Sequence, residues 1–72
     1  MNKAKYRSKM ALFGDTNESI ARYLGITPQT NSAKVNNTHG AEYSQGEIAK
    51  LKVRWALSAK EVDEIFFADL VS

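Results

Sequence analysis

The chain has 72 residues, 43% of them hydrophobic, with one Trp, three Tyr and three Phe, a net charge of +2 and no cysteine. That length allows one domain, which buries only about 60% of the surface its unfolded form exposes, while the apolar content suffices for a single core and argues against disorder. The missing cysteines exclude a disulfide framework and a thiolate metal site. No apolar run follows the basic first residues as a signal peptide would require, and nothing approaches the ~20 apolar residues of a membrane span, so a cytoplasmic protein with no membrane partner is expected.

The first helix is expected over Lys3 to Phe13, where Tyr6, Met10 and Phe13 recur at helical spacing, with Gly14 ending it. Asp15 or Thr16 can cap a second helix, and Asp15 with Glu18 has the spacing of a capping box. This helix carries Ile20, Ala21 and Leu24 on one face and stops at Gly25. Thr27 is a good N-cap and Pro28 follows at the first helical position, where its missing N–H costs nothing, so a third helix begins at Pro28 and runs to about Asn36. Asn36 through Gly40 reads as a loop.

Ser44 with Glu47 and Ser58 with Glu61 form two further capping boxes. They open a fourth helix through Ile48, Leu51 and Trp55 and a fifth through Val62, Ile65, Phe66 and Leu70. No stretch alternates as a strand does. The fold class is therefore all-α, a compact bundle of about five short helices forming one domain over residues 1–72. Tyr6 and Tyr43 sit outside these apolar stripes or at their edges and are taken as packing residues.

Two short helices joined by Gly25-Ile26-Thr27 have the spacing of a helix-turn-helix, in which the second helix lies in the DNA major groove and the first crosses the backbone. The segment from Thr16 to Thr30 resembles the lambda-type repressor and Cro family, whose motif has a small Ala within the first helix, Gly at the turn and an apolar residue directly after it. Ala21, Gly25 and Ile26 match those positions. Ala21 lets the second helix approach closely, Gly25 can take the positive φ that ends the first, and Ile26 pins the turn to the core. The resemblance extends more loosely over the whole chain, and Gly14 to Glu18 and Glu61 to Phe67 look like small phage-encoded regulators of this group.

The resemblance implies a sequence-specific transcriptional regulator that binds double-stranded operator DNA, as a dimer on a palindromic site. It also marks two departures, because the family carries apolar residues where this chain has Asn31 and Lys34. A buried Asn without partners costs roughly 1 to 3 kcal/mol. Asn31 is therefore expected to be partly exposed or hydrogen-bonded to backbone, in a third helix that is the least firmly packed element. Should the position be buried, Asn31→Leu is expected to raise the melting temperature.

If Asn31 and Val35 face inward, a turn of about 100° per residue directs Gln29, Thr30, Ala33, Asn36 and Asn37 outward. Gln29 can offer its amide to an adenine edge, Ala33 can touch a thymine methyl, and Thr30 can reach a base or a phosphate; these three are the candidate base readers. Asn17 looks like the family's backbone-contacting residue at the start of the second helix, and Lys34, Asn36 and Asn37 are candidate phosphate contacts. The clusters Lys3, Lys5, Arg7, Lys9 and Lys50, Lys52, Arg54 read equally well as solvated helix faces.

His39, alone in a loop with no second His or Cys, is no metal ligand by this reading, and no cofactor is expected. The acids have no His, Cys or activated Ser near them, which leaves no acid-base constellation and argues against an enzyme. Phe66 and Phe67 are adjacent and cannot point the same way, so Phe67 with Leu70 and Val71 is a candidate homodimer contact. The alternative is a small protein-binding module, such as an antitoxin or phage accessory protein using the apolar C-terminal helix.

Overall fold

Side-chain caps decide where each helix begins. In the computed structural model, which describes residues 1–68, five helices follow in order: α1 (Lys3–Leu12), α2 (Asn17–Leu24), α3 (Pro28–Asn36), α4 (Gln45–Arg54) and α5 (Ala59–Phe66), with a 3-10 turn at Thr38–Gly40 between α3 and α4. The described residues contain no strand, and no helix among them is long and apolar enough to cross a membrane. Asn2 caps α1 and Thr27 caps α3, while Ser44 with Glu47 and Ser58 with Glu61 close the two expected capping boxes on α4 and α5.

The start of α2 differs from the expected Asp15–Glu18 pairing. Thr16 is the cap, its hydroxyl accepting the Ser19 N–H at 3.1 Å, and the Ser19 hydroxyl accepts the Thr16 N–H at 2.8 Å. Glu18 is exposed. Asp15 is instead drawn across to α4, where its carboxylate accepts two hydrogen bonds from the Arg54 guanidinium, at 2.6 and 3.0 Å, and one from the Trp55 indole N–H at 2.7 Å. Arg54 in turn lies 4.7 Å from the Tyr23 ring centroid, and the Tyr23 hydroxyl donates to the Lys50 carbonyl at 2.7 Å, so Tyr23 ties the last turns of α2 to α4.

Tyr6, Ile20, Leu51, Trp55 and Ile65 are essentially inaccessible and form the centre of the core. The Tyr6 ring meets Trp55 edge-on at 5.3 Å and stacks beside Tyr43 at 6.2 Å. Both tyrosines thus belong to the core rather than its margin, and the reason lies in their hydroxyls. Buried tyrosine needs a partner for its O–H, and here the two hydroxyls lie 2.9 Å apart while Tyr43 donates onward to Asn31.

α5 closes the bundle over α1. The Asn2 N–H donates to the Ile65 carbonyl at 2.7 Å, and Lys5 and Lys9 pair with Glu64 and Glu61. Half of the basic cluster on α1 therefore faces acids of α5. Phe66 packs edge-on to Tyr43 at 5.9 Å, and Phe67 is half-buried against the core rather than standing free as a dimer contact. Leu70 and Val71, the other two residues of that expected contact, lie outside the described residues. Large apolar side chains are most exposed elsewhere, at Leu12 on α1 and Val53 on α4.

Candidate nucleic-acid interface

Three residues separate α2 from α3, and their backbone decides how the second helix leaves the first. Gly25 lies in the left-handed region at φ 75°, ψ 29°, and its N–H donates to the Arg22 carbonyl while that of Ile26 returns to Ala21. This closes α2 by the usual glycine C-cap. Ala21 is 1% exposed, so no side chain holds the two helices apart there, and Ile26 is half-buried against the core as expected. Thr27 then caps α3 by accepting the Thr30 N–H at 3.1 Å.

α3 faces inward through Asn31 and Val35, as the spacing suggests. Asn31 is 0% exposed, neither half-exposed nor bonded to backbone. Its amide N–H donates to the Asn17 side-chain oxygen at 2.8 Å, and its own oxygen accepts from the Tyr43 hydroxyl at 2.5 Å. Tyr43 gives its proton to Asn31, so Tyr6 donates to Tyr43, and the chain Tyr6, Tyr43, Asn31, Asn17 runs from α1 through the core to the start of α2. Burial and the neighbouring Tyr6 push the Tyr43 hydroxyl well above its ordinary pKa, which keeps it a donor. No buried side-chain nitrogen or oxygen among the described residues is left without a partner. The third helix is thus anchored by a polar network through Asn31.

Asn17 completes the clamp: its Nδ2 donates to the Pro28 carbonyl at 2.9 Å while its oxygen receives Asn31. A half-buried side chain so engaged holds the first turn of α3 against α2, a role that family resemblance alone did not suggest. The remaining backbone-contact candidates are likewise tied within the protein. Lys34 sits 2.6 Å from the Glu47 carboxylate, Asn36 donates to the Ser32 carbonyl at 3.0 Å, and Asn37 is the left-handed C-cap of α3 and donates to the Ala41 carbonyl at 3.0 Å. Burial opposes ionisation of Glu47, but Lys34 and the Ser44 cap outweigh it and hold the carboxyl below its ordinary range.

What remains on the outer side of α3 is uncharged. Gln29, Thr30, Ser32 and Asn36 are exposed and Ala33 is half-buried. Gln29 and Ala33, with Asn36 three residues on, lie along one line directed away from Asn31 and Val35. Thr30 and Ser32 flank it; Ser32 follows from the same geometry but is missed when only the readers nearest the line are taken. Pro28 has no N–H and the Thr30 N–H is capped, so the Gln29 N–H is the one donor of the first turn without a partner among the described residues. It lies at the positive end of a helix whose first turn holds no acid.

The Thr30 hydroxyl accepts from the Thr27 hydroxyl at 2.8 Å, which leaves its own proton free to donate outward. His39 is exposed in the following turn with φ 54°. Arg22, Lys50 and Lys52 are exposed on α2 and α4. Comparison with family models, with curated proteins and with solved structures finds no match to this chain.

Proposed function

We propose that the chain is a sequence-specific DNA-binding transcriptional regulator of the phage repressor and Cro kind, reading operator DNA with the outer face of α3, without cofactor and without catalysis. One observation carries this reading: α3 presents a short, uncharged, hydrogen-bonding surface at its exposed N-terminal half while its inward face is fixed by Asn31 and Val35. A groove reader needs small and amide side chains that reach base edges without steric excess, on a support too rigid to adapt to every sequence. Gln29, Thr30 and Ala33 are the proposed base readers, and the Gln29 N–H at the helix start is suited to a phosphate oxygen.

The polar network changes the proposed division of labour. Asn17, Lys34, Asn36 and Asn37 support α3 and the turn after it, and phosphate neutralisation falls to exposed cations elsewhere, with Arg22 the one on α2 itself. Regulation then follows from occupancy, the protein blocking or assisting polymerase at the sites it covers. Binding as a dimer would set half-sites about 34 Å apart.

A protein-binding module is the second reading, and one observation favours it: Leu12 is 72% and Val53 78% exposed. These residues lie on α1 and α4, which moves the candidate surface away from the C-terminal helix. Selection from a random duplex pool, followed by gel shift, separates the two. An enriched motif supports the regulator, uniform salt-sensitive retention supports an architectural DNA-binding role, and no retention leaves the protein-binding module.

A further inference from the structure

A cavity of about 170 Å³, partly open to solvent, lies where the end of α3, the start of α4 and the end of α5 meet. Its lining includes the rings of Tyr43, Phe66 and Phe67 and the Ile48 side chain, with Lys34 and Glu42 among its charged residues. Two of these groups belong to the support of α3. Lys34 is a residue of that helix, bound to Glu47 at 2.6 Å. The Tyr43 hydroxyl donates to Asn31 at 2.5 Å, and the network continues through Asn17 to the Pro28 carbonyl in the first turn of α3. A molecule seated in the cavity therefore touches groups that set how α3 is held.

The lining also selects the occupant. Lys34 is already engaged by Glu47 and shares the lining with the exposed Glu42, so its ammonium gives an anion little to gain. A cation would meet Glu42 only at an exposed position, where an ion pair contributes little. What remains is aromatic surface: the Tyr43 and Phe66 rings stand edge-on at 5.9 Å, and rings pack favourably against rings in offset or edge-on geometry. A dry cavity of about 150 Å³ accepts one benzene ring, so the volume here fits a single ring with a small polar substituent. We propose that the cavity takes a small uncharged aromatic compound of the size of phenol, and that its occupation strengthens DNA binding through α3. The second half rests on the reading of α3 as a DNA-binding helix; the first does not. A ring packed on Tyr43 favours the orientation in which its hydroxyl reaches Asn31, the same orientation that fixes the rotation of α3, so ligand and duplex favour one state. Each then raises affinity for the other by the same factor.

The test titrates phenol into the isotope-labelled full chain, first without DNA. The amide resonances of Ile48, Phe66 and Phe67 should move saturably, with a dissociation constant on the order of 1 mM. Benzoate and benzylamine, anionic and cationic rings of similar size, should bind at least about tenfold more weakly, because each must shed water from its charge without gaining a partner. Phe67→Ala removes a half-buried wall and should weaken phenol about fivefold. On a duplex enriched from a random pool, saturating phenol should raise affinity about fivefold, and by less than about twofold in Tyr43→Phe, which keeps the ring and loses the hydroxyl. Phe67→Ala at the same phenol concentration gives an equivalent comparison if Tyr43→Phe does not fold.

Phenol shifts that miss the cavity residues, or benzoate binding as tightly as phenol, would overturn the cavity assignment. Phenol bound in the cavity with DNA affinity unchanged would overturn the coupling and leave the regulator reading standing. A random pool that yields no enriched motif overturns the regulator reading and the coupling with it, while the titration without DNA still decides the cavity.

Discussion

The side-chain amide of Asn31 donates to the side-chain oxygen of Asn17 across 2.8 Å, joining the buried face of α3 to the first residue of α2. This bond sits between two others, from Asn17 to the Pro28 carbonyl and from Tyr43 to Asn31. It fixes both the entry of α3 and its rotation about its own axis, and hence which residues point away from the protein.

Replacing Asn31 tests that arrangement, and the network reverses the sign expected from sequence. Leucine is apolar and near in size, but it leaves Asn17 without its donor and Tyr43 without its acceptor. Losing one partner of a buried polar pair costs about 1 to 3 kcal/mol. Asn31→Leu should therefore lower the melting temperature, and Asn17→Ala combined with Asn31→Ala should destabilise by less than the sum of the two. A rise in melting temperature for Asn31→Leu, measured by circular dichroism, would show that the network contributes nothing net.

Asp15 makes the fold acid-sensitive. The Arg54 guanidinium hydrogen-bonded to it, helped by the Trp55 indole and the Ser19 hydroxyl, lowers its pKa to about 2 against burial that opposes ionisation. A carboxyl whose folded pKa lies below its unfolded value of 3.8 contributes stability that is complete above that value and is lost as pH falls through it towards about 2. The side chain is only 4% exposed, so the contribution is about 2 kcal/mol. Urea titrations between pH 6 and about pH 2 should show this loss, and Asp15→Asn should be less stable at neutral pH and show a shallower dependence.

Two backbone positions should respond in opposite directions. Gly25 sits at φ 75° with nothing within 4 Å of an added Cβ, so Gly25→Ala strains the backbone without a clash and should cost about 1 to 2 kcal/mol. Ala56, exposed at φ 49° just past α4, already carries such strain. Ala56→Gly should stabilise by up to about 1 kcal/mol. Thermal denaturation of both variants checks the pair, and a destabilised Ala56→Gly would contradict the assigned turn.

Lys34 distinguishes support from phosphate contact. Bound to Glu47, it should matter for stability by about 1 kcal/mol and leave the salt dependence of DNA binding unchanged in Lys34→Met. Were Lys34 on a phosphate, the same substitution would reduce the slope of log K against log salt by about 1. Gel shifts over a salt series give the answer.

The helices were legible because their starts are local chemistry: Thr27-Pro28, Ser44 with Glu47 and Ser58 with Glu61 are readable as residue pairs at fixed spacing. The outward direction of Gln29 followed from periodicity alone. What escaped depends on contacts across the chain. Asp15 has the local look of a cap, and only folding brings Arg54 and Trp55, some 40 residues later, to its carboxylate. Asn31 looks like a defect in an apolar stripe because its partners, 14 residues before it and 12 after it, are invisible to helical spacing. The signal that could have raised the network is an Asn in the inward stripe of one helix together with two tyrosines outside the apolar stripes or at their edges, whose hydroxyls need partners if they are buried.

The central claim is tested most directly by an NMR titration of the labelled protein with a duplex enriched from the random pool. The largest shifts should fall on the Gln29 backbone and side-chain amides and on Thr30 and Ala33, with α5 unaffected. Shifts centred on α1 and α4 around Leu12 and Val53, with the Gln29 resonances unmoved, would contradict a reading helix at α3.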